Sequence, residues 1–163
     1  VLPPETSVYL GKPSATDPTV APEGHENLFV LVPSPARPAM ARGGVDGQGD
    51  PVIERYVDGI IDQVARWTGA SDLADRVVVR RTRTSGDLAA ELGAWRGSML
   101  GPAHTLRQSA LFRAGNRSRR VEGLYFAGSG TIPGIGVPMC LISAELVLKR
   151  LRGDRTAAPL EVA

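Results

Sequence analysis

One stretch decides the fold of this chain, residues 121–151, which read VEGLYFAGSGTIPGIGVPMCLISAELVLKRL. Its beginning holds a short apolar run, residues 124–127, between two glycines, a pattern typical of a buried strand. A glycine-rich loop follows, and Pro138 then stands where a first helical turn tolerates proline, because an N–H there would have no partner. Apolar residues continue at helical spacing to Leu151, with cations near the end. The stretch therefore predicts a strand, a glycine loop and a helix in that order.

The loop between the predicted strand and helix carries glycines that permit positive φ and a close approach of the backbone to another molecule. They are Gly128, Gly130, Gly134 and Gly136. Because the loop opens a helix, unpaired N–H groups and the positive end of the helix dipole meet there, which suits a phosphate, a carboxylate or a ring carbonyl. The spacing matches neither the dinucleotide fingerprint nor a P-loop. On these residues alone, a ligand site and a tight structural turn are equal alternatives.

The same stretch resembles a known signature once its letters are read together. Residues 123–138 are similar to the C-terminal FAD-contacting segment of bacterial-type phytoene desaturases, within the flavin amine-oxidase-like superfamily. Residues 14–25 and 101–113 also resemble that family, and the three motifs occur in the expected order. The resemblance extends over residues 7–152. It implies a mixed α/β chain that forms the C-terminal part of an FAD/NAD(P)-binding-type fold.

The resemblance also implies a division of the chain. Residues 1–118 would form part of a substrate-binding domain with a mixed sheet, and residues 33–49, rich in proline and glycine, would be a mobile loop within it. Residues 119–152 would form the last strand, glycine loop and helix of the FAD-binding domain. Residues 153–163 would be a disordered tail.

The implied cofactor is FAD, and the implied contacts come mostly from the backbone. They involve Gly128, Ser129, Gly130, Thr131, Gly134, Gly136, Val137 and Pro138. The helix start at residues 136–138 would face the pyrimidine side of the flavin ring, where reduced flavin carries negative charge. Ser129 stands where many relatives carry an acidic residue, so N–H groups of the loop are expected to supply the main contacts.

The family's N-terminal strand–Gly-x-Gly-x-x-Gly–helix unit does not occur in these 163 residues. We therefore expect the isolated chain to be inactive, to bind FAD weakly or not at all, and to expose apolar surface that promotes dimerisation or aggregation. The implied partners are an N-terminal dinucleotide-binding half, or a separate subunit that supplies it, and a lipophilic polyene at a membrane surface; a homo-oligomer is an alternative. The implied location is cytoplasmic, peripheral to the cell membrane.

The function implied by the resemblance is carotenoid desaturation, the oxidation of C–C single bonds of a phytoene-type polyene with hydride transfer to flavin. No residue is identified as the catalytic base. The alternatives are a non-catalytic subunit that completes a split flavoenzyme, a degenerate remnant, and a flavin oxidoreductase that acts on a retinoid or an amine. The aliphatic residues around the loop favour a hydrocarbon, since an amine site usually has an aromatic cage.

Composition excludes several other classes. The 19 basic and 17 acidic residues are nearly balanced, which argues against nucleic-acid binding. The single cysteine, Cys140, excludes an internal disulfide and is expected to be a packed, inert thiol. Two separated histidines give no metal-ligand spacing, and no Gly-x-Ser-x-Gly elbow indicates a hydrolase. His25 reads as a structural loop residue, whereas His104, Arg107 and Gln108 are the polar residues most expected to face a pocket.

The remaining patterns predict elements that frame this loop. Residues 7–10 and 27–32 are expected to pair as a long-looped hairpin, the second run being apolar enough for the interior of a sheet. Residues 51–68 show one apolar face and predict a helix, capped by Asp50 and ended by Gly69. Residues 76–82 predict a strand, and residues 86–92 predict a short helix capped by Ser85.

Overall fold

The structure is a computed structural model that describes residues 5–37, 39–103, 105–109 and 112–160. The chain divides into two compact units, Val1–Gly97 and Ser98–Ala163. Within the described residues the strands and α-helices are β1 (Tyr9–Gly11), β2 (Phe29–Leu31), α1 (Pro51–Thr68), α2 (Ser85–Leu92) and α3 (Val137–Arg152). The mixed α/β class expected from the sequence is confirmed at this level. The predicted domain boundaries, the mobile loop and the disordered tail stay predictions.

Helix α1 has the bounds that its sequence predicts, because each end carries a strong signal. The Asp50 carboxylate accepts a hydrogen bond of 2.9 Å from the Val52 amide, which satisfies one of the unpaired N–H groups of the first turn. Gly69 closes the helix in the left-handed conformation, at φ 75°. The predicted cap and stop are both confirmed.

The first unit is built on the apolar face of α1. Its buried hydrophobic side chains are Ile53, Ile60 and Val64, which repeat at helical spacing. Burying each of them stabilises the fold by about 1.5–3 kcal/mol relative to exposure. Gln63, also fully buried, donates from Nε2 to the Thr6 carbonyl at 2.7 Å and so fastens the start of the described chain to α1.

The hairpin forms, but it does not lie inside a sheet. Strands β1 and β2 pair antiparallel, with Tyr9 opposite Leu31 and Gly11 opposite Phe29. The prediction of an interior strand is wrong, since Phe29 is 48% exposed and its neighbours are exposed too. The physical reason is that no third described strand pairs with either edge, and a two-stranded ribbon alone cannot bury both faces.

The strand predicted for residues 76–82 is wrong as well. Ala74–Arg76 forms a 3-10 turn, and a single antiparallel bridge joins Arg81 to Val45. The backbone beyond the turn bonds to a glycine-rich loop instead of a strand: the Thr82 amide donates to the Gly44 carbonyl at 2.8 Å. β-Propensity predicted an extended conformation here, but a ladder also needs a partner strand.

Helix α2 starts one residue earlier than predicted, and its cap is Thr84, not Ser85. The Thr84 hydroxyl accepts from the Gly86 amide at 3.1 Å, and the Asp87 carboxylate accepts from the Thr84 amide at 2.8 Å. This is a capping box. Ser85 fails as the cap because its hydroxyl lies against the Arg37 carbonyl, at 3.1 Å.

In the second unit, the strand predicted for residues 124–127 is absent and the helix is present. Tyr125 forms an isolated bridge with Arg117, and the Phe126 amide donates to the Asn116 carbonyl at 2.8 Å. Among the described residues no further strand extends this pairing, which explains why the apolar run does not form a ladder. Helix α3 begins at Val137 and ends at a left-handed Gly153, with basic residues in its last turn as predicted.

Candidate functional site

Helix α3 begins without a side-chain cap. Gly136 occupies the N-cap position, and no side chain accepts from the first turn of the helix. Several amides along the loop and helix start donate to none of the described residues: Ser129, Gly130, Gly134, Ile135, Gly136, Val137 and Met139. Pro138 contributes no N–H, as expected of its position in the first turn. The site therefore combines unpaired donors with the positive end of a helix dipole.

The glycines of the loop adopt conformations that other residues rarely reach. Gly128 has φ 108°, Gly134 φ 144° and Gly136 φ 107°. A Cβ atom built at any of the three would meet nothing within 4 Å, and the backbone is exposed at Gly136 and half-buried at Gly128, whereas Gly134 is buried. A flat or chain-like ligand could approach the loop at van der Waals distance there. Unpaired amides beside open glycines fit an FAD-type ligand with its phosphate, ribityl and ring acceptors.

A buried polar cluster fastens this loop to α3. Its centre is Asn116, which is 0% exposed. The Asn116 Nδ2 group lies within hydrogen-bond distance of the carbonyls of Phe126 at 3.1 Å and Ile132 at 3.2 Å, the Thr131 hydroxyl at 3.1 Å and the Ser143 hydroxyl at 2.9 Å. Ser143, in α3, accepts in turn from the Gly128 amide at 3.0 Å. The cluster thus holds the loop in place at Gly128 and at Ile132.

A buried arginine holds the same loop by its carbonyls. Arg113 is 7% exposed, and its Nε donates to the Thr131 carbonyl at 3.0 Å. A second N–H of the guanidinium donates to the Ser129 carbonyl. Within the described parts of the chain, no carboxylate lies within ion-pair distance of Arg113. A positive charge is therefore buried against a loop in which the Ser129 and Gly130 amides donate to none of the described residues.

The structure places the residues predicted from the sequence in different environments. The structure brings Gly128, Ser129, Gly130, Thr131, Gly134, Gly136, Val137 and Pro138 together in one loop and helix start. The Thr131 side chain, however, is 6% exposed and bonded inward to the Ser143 hydroxyl at 2.9 Å. Of the pocket candidates, His104 lies outside the described residues, and Arg107 and Gln108 are exposed in a 3-10 turn.

Sequence reasoning missed Arg113, Asn116 and Ser143. The available signal was that Arg113 ends a family-like motif, residues 101–113, while Ser143 interrupts the apolar run of α3. Polar residues in such positions are candidates for buried hydrogen bonds, because a helix face that packs inward otherwise carries apolar side chains.

Charge and cavities complete the description of each unit. The second unit carries nine basic and four acidic residues, which favours anionic ligands there. The first unit has an apolar cavity of about 470 Å³ whose lining includes Met40, Val52 and Tyr56. The Tyr56 hydroxyl is buried with no partner among the described residues, and burial raises the pKa of Tyr56.

Two further features concern metals and membranes. Among the residues that the structure describes, no group of three or more potential ligands gathers at metal-binding distance. None of the described helices combines the length and apolar composition needed to cross a bilayer.

Comparison with known proteins gives a consistent answer, although no family model matches the chain. The chain is 47% identical over 152 residues to a carotenoid 3,4-desaturase of Haloarcula japonica, covering 93% of this chain and 29% of that protein. It is 36% identical over 150 residues to a zeta-carotene-forming phytoene desaturase of Myxococcus xanthus, covering 92% and 28%. It is 33% identical over 153 residues to a 4,4'-diapophytoene desaturase of Staphylococcus haemolyticus, covering 94% and 30%. The chain thus spans less than a third of these relatives, and the resemblance found in its motifs is confirmed.

Proposed function

We propose that this chain, a homologue of the carotenoid and phytoene desaturases over nearly its whole length, is part of an FAD-dependent oxidoreductase that desaturates a polyene in carotenoid biosynthesis. Its own contribution is the loop of residues 128–136 and the start of α3, which contact the cofactor. The observation that carries the proposal is an uncapped helix start whose neighbouring amides donate to none of the described residues, beside glycines with open space.

The chain's residues would act mainly by binding and orientation. When bound, FAD supplies hydride acceptance, the chemistry that side chains lack. Amides of Ser129 and Gly130 donate to the ribityl or pyrophosphate region, and the start of α3, residues 136–138, stabilises negative charge at the pyrimidine side of the ring. Asn116 and Ser143 keep the loop in the shape that presents these donors.

The proposed substrate is a lipophilic polyene, which offers no polar handle and must be selected by apolar surface. Two aliphatic residues beside the proposed flavin contacts are strongly exposed, Val137 at 77% and Leu141 at 68%. The apolar cavity of the first unit, about 470 Å³, is a second candidate for contact with hydrocarbon. A membrane-peripheral location on the cytoplasmic side would give such a substrate access, and it belongs to the same proposal.

The proposed partner is a polypeptide segment with a dinucleotide-binding unit, in the same protein or a separate subunit. Exposed apolar residues in both units support it, among them Tyr9 at 63% and Phe29 at 48% in the first and Phe126 at 45% in the second. A non-catalytic subunit that completes a split flavoenzyme is the second candidate. In both cases residues 1–118 contribute to substrate binding and residues 119–152 to FAD binding.

Co-expression tests the proposal. The chain is produced alone and together with a dinucleotide-binding half from a carotenoid desaturase, and bound flavin and polyene desaturation are measured. We expect flavin and activity only in the combined preparation, and loss of flavin when Gly136→Val blocks the loop. A combined preparation that folds but holds no flavin would contradict the proposed function. Stoichiometric flavin on the chain alone would contradict the need for a partner.

A further inference from the structure

We infer that Arg113 is a positioning residue for the bound cofactor. It orients the glycine loop, and its positive charge acts on the cofactor through that loop. This rests on the proposed flavin site and goes beyond it, because the sequence predicted backbone N–H groups as the main contacts around Ser129. Arg113 does not itself touch the ligand in this role, because it is 7% exposed and acts through the peptide units of the loop.

The hydrogen bonds of the Arg113 guanidinium support this role. The guanidinium accepts no bond and donates to the carbonyls of Ser129 and Thr131. In a trans peptide the C=O and the following N–H point in opposite directions. The Ser129 carbonyl faces Arg113, so the Gly130 N–H points away from it, and this N–H donates to none of the described residues. Arg113 therefore aims a free donor outward from the loop.

The buried positive charge of Arg113 supports the same role. A buried charge without an opposite charge is unfavourable unless hydrogen bonds or a ligand compensate it. The described chain offers Arg113 two carbonyls and no carboxylate. An anionic group on the far side of the loop would complete this compensation, since its field acts through polarised peptide units. The negative charge of the reduced flavin and the pyrophosphate of FAD both have the required sign.

The neighbouring cluster of Asn116 and Ser143 shows that holding the glycine loop in place does not require a charge. Asn116 and Ser143 hold the same loop through neutral groups, at 2.9 Å from each other and at 3.0 Å from Ser143 to the Gly128 amide. A guanidinium is the most difficult of these groups to bury. Its presence beside two neutral anchors points to a role for the charge itself.

Two measurements distinguish the effect of the Arg113 charge from the effect of anchoring the loop. One uses the flavin-loaded protein that contains this chain, and the other uses its flavin-free form. Arg113→Met removes the charge, Arg113→Lys keeps it, and Ser143→Ala removes a neutral anchor. We expect Arg113→Met to weaken the binding of reduced relative to oxidised flavin about tenfold, which lowers the midpoint potential by about 30 mV for a two-electron couple. Arg113→Lys and Ser143→Ala should leave the potential close to that of the wild type.

Amide hydrogen exchange of residues 128–136 in the flavin-free protein gives the second readout. Arg113→Met and Ser143→Ala should both accelerate exchange there, because each removes an anchor. The exposed Arg119→Gln is the matched control, since it removes the same charge from the surface and should change neither readout.

An unchanged potential in Arg113→Met, equal to that of Arg119→Gln, would overturn the inference and leave the proposed function standing. If Arg113→Met does not fold, Arg113→Gln, which keeps a hydrogen-bond donor, is expected to show the same lowering, and an unchanged value there is equally decisive. A wild-type protein that holds no flavin would overturn the proposed function and this inference together.

Discussion

Both units bury polar side chains, but among the described residues only the first also buries large apolar ones. In the first, the side chains of Ile53, Ile60 and Val64 are buried along one face of α1. In the second, the buried side chains of the described residues are polar or charged, with Asn116 and Ser143 both at 0% exposure. Apolar burial is non-directional and tolerates adjustment, whereas a buried hydrogen-bond cluster is satisfied in one geometry only. The second unit, whose described residues include no buried large apolar side chain, therefore depends on this one geometry for the shape of its backbone.

The two long helices show the same contrast at their first turns. Asp50 caps α1, so the donors there are partly satisfied within the chain. Gly136 opens α3 with no side-chain cap. Helix α1 contributes its apolar face to the core, whereas the uncapped start of α3 is where the proposed function places the cofactor. Substitutions in the two interiors and at the two helix starts test this contrast.

Asn116→Ala should be the most destabilising change. It leaves the carbonyls of Phe126 and Ile132 and the hydroxyls of Thr131 and Ser143 without their shared donor. We expect the free energy of unfolding to fall by about 3 kcal/mol. Denaturant unfolding of the protein that contains this chain measures it, with the exposed Asn27→Ala as control. A loss below about 1 kcal/mol would show that the polar interior does not hold the second unit together.

Asp87 should make the first unit sensitive to acid. Burial opposes its ionisation, but amides of Gly43 and Thr84, the Thr84 hydroxyl and the charge of Arg42 together hold the pKa of Asp87 below its ordinary value of 3.8. A depressed folded-state pKa stabilises the fold above the unfolded value, and this stability is lost as the pH falls through the folded value.

The corresponding test is Asp87→Asn, which should lower the free energy of unfolding at neutral pH by about 2 kcal/mol. It should also flatten the decline in stability as the pH falls below about 4. Unfolding followed at a series of pH values measures both effects, with the exposed Asp62→Asn as control. An unchanged slope would mean that the capping box contributes nothing through its charge.

Gly136→Ala addresses the start of α3. Its φ of 107° is strained for any side chain, and the added methyl group would project into the open space beside the loop. We expect FAD affinity to fall about tenfold, equivalent to about 1.4 kcal/mol. Gly123→Ala, at φ 73° and outside the loop, is the control for strain alone. Equal losses of affinity in both variants would locate the flavin elsewhere.

Asp50→Ala should give the smallest effect. Loss of the cap on α1 is expected to lower the free energy of unfolding by about 1 kcal/mol without changing FAD affinity. Thermal unfolding and flavin titration of the same variant measure the two quantities. A change in flavin affinity as large as that of Gly136→Ala would remove the distinction between the two helix starts.

Features set by interactions within a short segment were predicted correctly, whereas features that depend on distant residues were not. Helix α1 was predicted with its bounds because its cap, its apolar face and its terminal glycine all lie within the segment. The strands expected at residues 76–82 and 124–127 were wrong, since a strand needs a partner that local sequence does not specify. The same holds for the site: the glycines were readable, but the grouping of Arg113, Asn116 and Ser143 around them was not.

The sequence alone determined where the helices run, which loop can adopt glycine-only conformations and which family the motifs resemble. These follow from periodicity, capping and backbone sterics, all of which act over a few residues. Tertiary structure alone decided that Asn116 and Ser143, 27 positions apart, meet in a buried cluster and that Arg113 lies against the loop. Hydrogen bonds between distant residues depend on how the chain closes on itself, and no local pattern encodes that closure.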